Sequence, residues 1–178
     1  GKRLEACFLG CGPGPEVIGL IQHLKNNKSK TTLLQVKMVD SATKEWSHAR
    51  EIVRHFVAEP FWEPGLIEMQ TISAKLTDTK ELGKIHLDHC YLVVIQNCLN
   101  EIPEDDHNKV RDNILEVFKR LPPRAIALVI DRKNYDGSKK MMKELQERAS
   151  DFENLTPVFD NVQTNQIPCP LGNVPGII

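Results

Sequence analysis

The sequence has no hydrophobic run near the roughly 20 residues that a membrane helix needs, and its start carries no apolar block followed by a cleavage site. It has no excess of charge of one sign either, because 23 Lys and Arg stand against 24 Asp and Glu. The balance excludes a strong overall field for nucleic acid or for an anionic membrane, and leaves room for a local basic patch. We therefore expect an intracellular protein, in the cytoplasm or the nucleus, that takes no membrane partner.

Paired metal-ligand motifs are also missing. The five cysteines are scattered and form no Cys-x-x-Cys pair, which argues against a zinc ribbon and favours free thiols: Cys7, Cys11, Cys90, Cys98 and Cys169. His86 and His89 stand close to Cys90, at the start of a strand-like run. Alternation along that run would turn their side chains to opposite faces, so we expect no metal site.

What is present fits one globular domain. The chain has 178 residues, of which 40% are hydrophobic and 26% charged, an ordinary composition for a domain with one core. A strand-like segment begins almost directly after Gly1, and the sequence ends at Ile178 in a loop-like tail. We therefore expect residues 1–178 to be a single domain that is part of a larger polypeptide.

Strand-like and helix-like patterns alternate along the chain. Short apolar or alternating runs predict strands at 4–9, 33–39, 66–72, 91–95 and 125–130. Apolar residues at helical spacing predict helices between them. One has a stripe at Trp46, Ala49, Val53 and Phe56, and another is capped by Ser138 and buries Met141, Leu145 and Ala149.

This order predicts an α/β domain of three layers with a mainly parallel sheet. The continuous apolar run at 91–95 is the best candidate for the centre of the sheet. From Asn154 the chain is rich in Pro, Asn and Gly, with at most one strand, at 157–162. We therefore expect part of a C-terminal strand hairpin to be absent.

Ligands of parallel sheets bind beyond the carboxyl ends of the strands. The loop after the first strand reads Gly10-Cys11-Gly12-Pro13-Gly14. Alternate glycines allow positive φ and a close approach of the main chain to a ligand, and the following helix offers unpaired N–H groups. This turn is typical of a site for a nucleotide-like ligand.

Two familiar nucleotide motifs do not fit. The dinucleotide fingerprint needs a third glycine where this chain has Pro15, and the phosphate loop needs Lys-Ser or Lys-Thr where Leu20 and Ile21 follow Gly19. An NAD-dependent or nucleotide-sugar enzyme is therefore disfavoured, although the fold class alone does not exclude it.

The segment from Gly10 to Gly14 resembles the Gly-x-Gly-x-Gly turn of class I S-adenosylmethionine-dependent methyltransferases. The resemblance implies a Rossmann-like fold, S-adenosyl-L-methionine as cofactor, and an acid after the second strand that accepts hydrogen bonds from the ribose hydroxyls. Asp40, 26 residues after Gly14, matches that acid. One carboxylate can accept from both hydroxyls of a diol.

The resemblance also implies a set of cofactor-binding residues and names no catalytic one, since methyl transfer depends mostly on positioning. The set comprises Gly10, Cys11, Gly12, Pro13, Gly14, Asp40, Ser41, Ala74 and Asn97. Trp46, Trp62 and Tyr135 are aromatic candidates for stacking on a base near the same loops.

The sequence departs from the family at two points. Phe8 stands where family members commonly carry an acid that helps to hold the methionine amino group, and Ser73-Ala74-Lys75 stands where an acid often reads the adenine amine. Two functions remain open: methyl transfer to RNA or protein in preference to a small molecule, or an inactive methyltransferase-like module that binds protein or RNA. Under the second, the glycine turn is a plain connection and Asp40 caps a helix.

Overall fold

The computed structural model describes residues 2–62, 65–131 and 136–152, which form one parallel sheet with helices on both faces. The strands are β1 (Lys2–Leu9), β2 (Thr31–Asp40), β3 (Leu66–Ser73), β4 (Leu92–Gln96) and β5 (Ile126–Ile130). The helices are α1 (Pro15–Asn26), α2 (Ser47–Ile52), α3 (Glu59–Phe61), α4 (Thr79–Gly83), α5 (His107–Lys119) and α6 (Asp136–Ala149).

The strand order is β3-β2-β1-β4-β5, and every pair is parallel. The predicted mainly parallel α/β sheet is therefore confirmed. The prediction that residues 91–95 form the centre is wrong by one strand, because β1 occupies the middle and β4 lies between β1 and β5. Both strands are covered on both faces, and a continuous apolar run marks any such strand rather than the middle one.

Each face of the sheet carries its own apolar cluster. One cluster joins β1, β2 and β4 to α4, α5 and α6 through residues such as Leu82, Ile114 and Met141. The other joins the opposite face of the same strands to α1 and to the segment after α2, through residues such as Val17 and Ala58. The three predicted layers are therefore present.

The helical stripe predicted from Trp46 to Phe56 is wrong. Phe56 is 75% exposed, and the buried residues of this segment are Arg50 and Ala58. Phe56 lies in a π-helical stretch, Val53–Ala58, whose wider turn departs from the spacing of a regular α-helix.

One smaller expectation at the other edge is corrected as well. Ser138 does not cap α6, since the helix begins at Asp136 and Ser138 is buried inside it, whereas Met141 and Leu145 are buried as predicted. On β5 only alternate side chains pack on the core, and the others are exposed in the described part of the chain: Ile126, Leu128 and Ile130. The strand predicted at 157–162, the missing part of the hairpin and Tyr135 lie outside the described residues.

None of the helices in the described ranges combines the length and the apolar character needed to cross a bilayer.

Candidate cofactor site

The glycine turn connects β1 to α1 at the carboxyl end of the middle strand. Its three glycines all have positive φ, at +65° for Gly10, +50° for Gly12 and +85° for Gly14. The Gly14 N–H donates to the Cys11 carbonyl at 2.8 Å, and the Gly10 N–H donates to the Val39 carbonyl at 2.8 Å. The turn is therefore closed on itself and tied to the end of β2, in a conformation that other residues rarely adopt.

Asp40 faces this turn from the end of β2. Its Oδ2 accepts a hydrogen bond from the Gly12 N–H at 2.9 Å, and its Oδ1 accepts one from the Ala42 N–H at 2.8 Å. Each carboxylate oxygen has two lone pairs, so both retain one for a further donor. The acid and the turn meet at one point, with acceptor capacity left for the hydroxyls of a diol.

The other residues predicted for the site lie at the same end of the sheet and make backbone contacts. The buried Ala74 donates its N–H to the Asp40 carbonyl at 3.2 Å, while Ser41 is exposed. Asn97 has a φ of +53° and donates its backbone N–H to the Ile130 carbonyl at 2.9 Å. Asn97 therefore has the conformation of a turn residue, and its predicted contact with a cofactor, like that of Pro13, stays a prediction.

Side chains of the protein itself pack against all three glycines. A Cβ built on Gly10 would meet the Cys98 Sγ at 2.8 Å, and one built on Gly12 would meet the Trp46 indole at 3.5 Å. Met38 packs in the same way against Gly14. Glycine is thus required at Gly10 and Gly14 by internal packing, whereas the Trp46 indole, which is 38% exposed, covers Gly12 at the surface.

The buried side chain of Arg50 contacts the glycine turn, and the sequence did not predict this contact. The side chain is 5% exposed; its Nε donates to the Gly12 carbonyl at 2.8 Å and its Nη2 to the Cys11 Sγ at 3.6 Å. Its Nη1 is buried without a hydrogen-bond partner. The sequence carries no signal for this role, because a charged residue in a helix is usually solvated.

The thiols beside the turn are not nucleophiles. Burial raises the pKa of Cys11 to about 12, against a smaller opposing effect of the Arg50 charge, and burial also raises the pKa of Cys98 to about 12. Both remain protonated at neutral pH and behave as small apolar groups. The described ranges contain no group of three or more His, Cys, Asp or Glu that could hold a metal ion.

Comparison with solved structures shows similarity to methyltransferases. The CurJ carbon methyltransferase matches 82% of this chain and 34% of its own, with 10% identity and a TM-score of 0.51. Human N-acetylserotonin methyltransferase, solved in complex with SAM, matches 70% and 28%, with 14% identity and a TM-score of 0.43. The CMeT domain of citrinin polyketide synthase matches 82% and 40%, with 11% identity and a TM-score of 0.46. No protein-family model and no curated protein matches the sequence.

The described chain therefore has a divergent class I methyltransferase-like fold, of the α/β Rossmann-like type, as the glycine turn led us to expect. The chain spans between 28% and 40% of the length of the three matched proteins. Fold similarity at this level of identity leaves cofactor, acceptor and turnover to be argued from the site itself.

Proposed function

We propose that this domain binds S-adenosyl-L-methionine at the glycine turn and transfers its methyl group to a macromolecular acceptor, RNA or protein. The observation that supports this most directly is the hydrogen bond between the Gly12 N–H and Asp40 Oδ2, at 2.9 Å. It brings a carboxylate with spare lone pairs against bare main chain, at the carboxyl end of the sheet where parallel folds bind their ligands.

The residues at the turn fit an adenosyl group in three respects. Asp40 can accept from the two ribose hydroxyls, and the N-terminal end of α1 begins directly after the turn. The indole of Trp46 offers a partly exposed aromatic face at the edge of the slot. Because that indole also covers Gly12, we expect it to turn aside or to stack on the base when the cofactor binds.

The cofactor supplies an electrophilic methyl group on a sulfonium. When bound, it would offer this methyl group to a lone pair of the acceptor, while Asp40 and the main chain of the glycine turn would hold its adenosyl end. The role of the protein in such a step is to hold the two reactants in line, so a site with few acid or base residues is sufficient.

Titration calorimetry with S-adenosylmethionine, S-adenosylhomocysteine and NAD tests the proposal. We expect the two adenosyl ligands to bind and NAD to give no heat. Asp40→Asn should weaken binding about tenfold or more, because a charged acceptor is lost from the ribose contact. Asp88→Asn, an exposed acid before β4 at the other end of the sheet, is the matched control and should leave affinity unchanged.

A second function, a non-catalytic module that binds protein or RNA, is favoured by the packing on the glycines. Cys98, Trp46 and Met38 already contact the faces that glycines commonly leave open for a ligand. If the titration gives no heat with either adenosyl ligand, this packing is the reason for the glycines and the module is the better account.

A further inference from the structure

The indole of Trp46 lies against the open side of Gly12, where the glycine has no side chain. A Cβ built on Gly12 would meet Cε2, Nε1 and Cζ2 of the ring at 3.5–3.7 Å. That is an ordinary van der Waals contact, unlike the 2.8 Å between a Cβ built on Gly10 and the Cys98 Sγ. The ring therefore rests on Gly12 without interlocking with it, and it can leave Gly12 without forcing the turn to move.

Trp46 is not a core residue. It is 38% exposed and belongs to neither apolar cluster of the described chain, whereas Trp62 is 3% exposed and packs in the cluster that joins the sheet to α1. Removal of the Trp46 ring should therefore change the stability of the fold little, because large losses come from changes in the core. Variants at this position can be compared with the unaltered protein in the folded state.

The main chain at Trp46 is fixed on both sides. Its N–H donates to the Ala42 carbonyl at 3.1 Å, and its carbonyl accepts from the Arg50 N–H at 2.9 Å. The Ala42 N–H in turn donates to Asp40 Oδ1 at 2.8 Å. A movement of the indole away from Gly12 is therefore a rotation about its own side-chain bonds, and it leaves Asp40 in its place at the turn.

We propose that the Trp46 indole is a gate, which closes the approach to Gly12 in the free protein and rotates away when an adenosyl ligand enters. This inference rests on the proposed function, which places the ligand against Gly12 and Asp40. The ring and the ligand cannot both occupy the open side of Gly12, so the ring competes with the ligand. A protein that binds its ligand only in an open form has an apparent affinity reduced by the fraction that is open.

Binding of S-adenosylhomocysteine to the full chain tests the gate, with affinity from calorimetry and rates from surface plasmon resonance. With the ring open in about one molecule in ten, Trp46→Ala should tighten binding about tenfold. The gain should lie in the association rate, because the ring obstructs entry, and the dissociation rate should not change. Trp46→Phe, with a smaller ring, should give a smaller gain. Phe56→Ala removes a 75% exposed aromatic side chain from the π-helical stretch after α2 and is the matched control, with no change expected.

Two results overturn the gate. Weaker binding of Trp46→Ala through faster dissociation would show that the indole stacks on the ligand, and unchanged binding would show that the ring lies outside the path of the ligand. If Trp46→Ala does not fold, Trp46→Phe decides between the same results. Binding by Trp46→Ala alone would support a gate that is almost always closed in the unaltered protein. Binding by neither protein would overturn the proposed function and the gate with it, and it differs from the first two results, in which the unaltered protein binds.

Discussion

Two glutamates near the middle strand have opposite environments at the two ends of the sheet. Glu5, toward the amino end, is 5% exposed and has both oxygens bound, Oε2 by Arg3 at 2.8 Å and Oε1 by Lys37. Glu16, at the carboxyl end, keeps a buried oxygen without a partner. Burial raises the pKa of both acids, but the bonds to Lys37 and Arg3 outweigh it for Glu5, whose pKa ends below the ordinary value.

The difference separates a glutamate whose charge is paired within the fold from one whose buried oxygen has no partner. The cations around Glu5 satisfy it completely, and Lys37 also donates to the His86 carbonyl, so this cluster joins β1, β2 and the loop before β4. At the carboxyl end, two charged atoms of opposite sign, Glu16 Oε2 and Arg50 Nη1, are buried without partners around one turn. These are two of the four buried side-chain atoms without a partner in the described residues, and the other two, Gln35 Oε1 and Trp62 Nε1, carry no charge.

The largest expected effect follows from breaking the satisfied cluster. Glu5→Gln leaves Lys37 mostly buried without its carboxylate, so we expect the free energy of unfolding to fall by about 3 kcal/mol. Urea unfolding followed by circular dichroism measures this loss at neutral pH.

Glu16→Gln makes the same change at the glutamate whose buried oxygen has no partner. It removes a charge that has no partner, so the free energy of unfolding should stay the same or rise slightly. A loss for Glu16→Gln as large as that for Glu5→Gln would show that the two acids play the same structural role.

A second comparison, with smaller expected changes in stability, is between Gly10 in the turn and Gly19 in α1. Gly10→Ala would hold a non-glycine residue at a φ of +65° and place its Cβ 2.8 Å from the Cys98 Sγ, so we expect a loss of about 2 kcal/mol. Gly19→Ala, within α1, meets nothing within 4 Å and should stabilise the protein by about 0.5–1 kcal/mol. Thermal unfolding of the two variants side by side measures both, and a shift in the same direction would contradict the assigned backbone constraint.

The sequence predicted the fold well because its signals are local. The run Ala6–Leu9 and the alternation in β2 follow directly from the burial of one or both strand faces. The errors arose where tertiary structure decides. Phe56 lies in the π-helical stretch Val53–Ala58, which regular helical spacing cannot anticipate. The position of β1 in the middle depends on where the chain crosses after β3.

The site was predictable only in part. The glycine turn and Asp40 could be found from spacing, and the hydrogen bond between them agrees with that interpretation. Arg50, Glu16 and the position of Trp46 over Gly12 could not be found, because a charged residue in a helix is usually solvated. Glu16 and Arg50 differ from the other charged residues of α1 and α2 in having a buried polar atom without a hydrogen-bond partner, which only the structure shows.

A third prediction concerns the pH dependence of the free energy of unfolding, whose sign follows from the directions of the pKa shifts of the two glutamates. Because the folded-state pKa of Glu16 is raised, its contribution to stability is full below the unfolded value of 4.5 and is lost as pH rises through the folded value. The folded-state pKa of Glu5 is lowered, so its contribution is full above 4.5 and is lost as pH falls. Unfolding curves against pH should therefore lose the first dependence in Glu16→Gln and the second in Glu5→Gln.

The smallest expected effect is a change in tryptophan fluorescence, which reports only on the carboxyl end of the sheet. The chain has two tryptophans, of which Trp62 is 3% exposed and Trp46 is 38% exposed over Gly12. Trp62→Phe leaves Trp46 as the single fluorophore, and it also removes a buried indole N–H that lacks a hydrogen-bond partner. We expect the emission of Trp46 in this variant to shift when S-adenosylhomocysteine is added, because the ligand displaces the indole from Gly12 or stacks on it. Saturable binding by calorimetry with unchanged emission would show that the ligand leaves the Trp46 indole in place over Gly12.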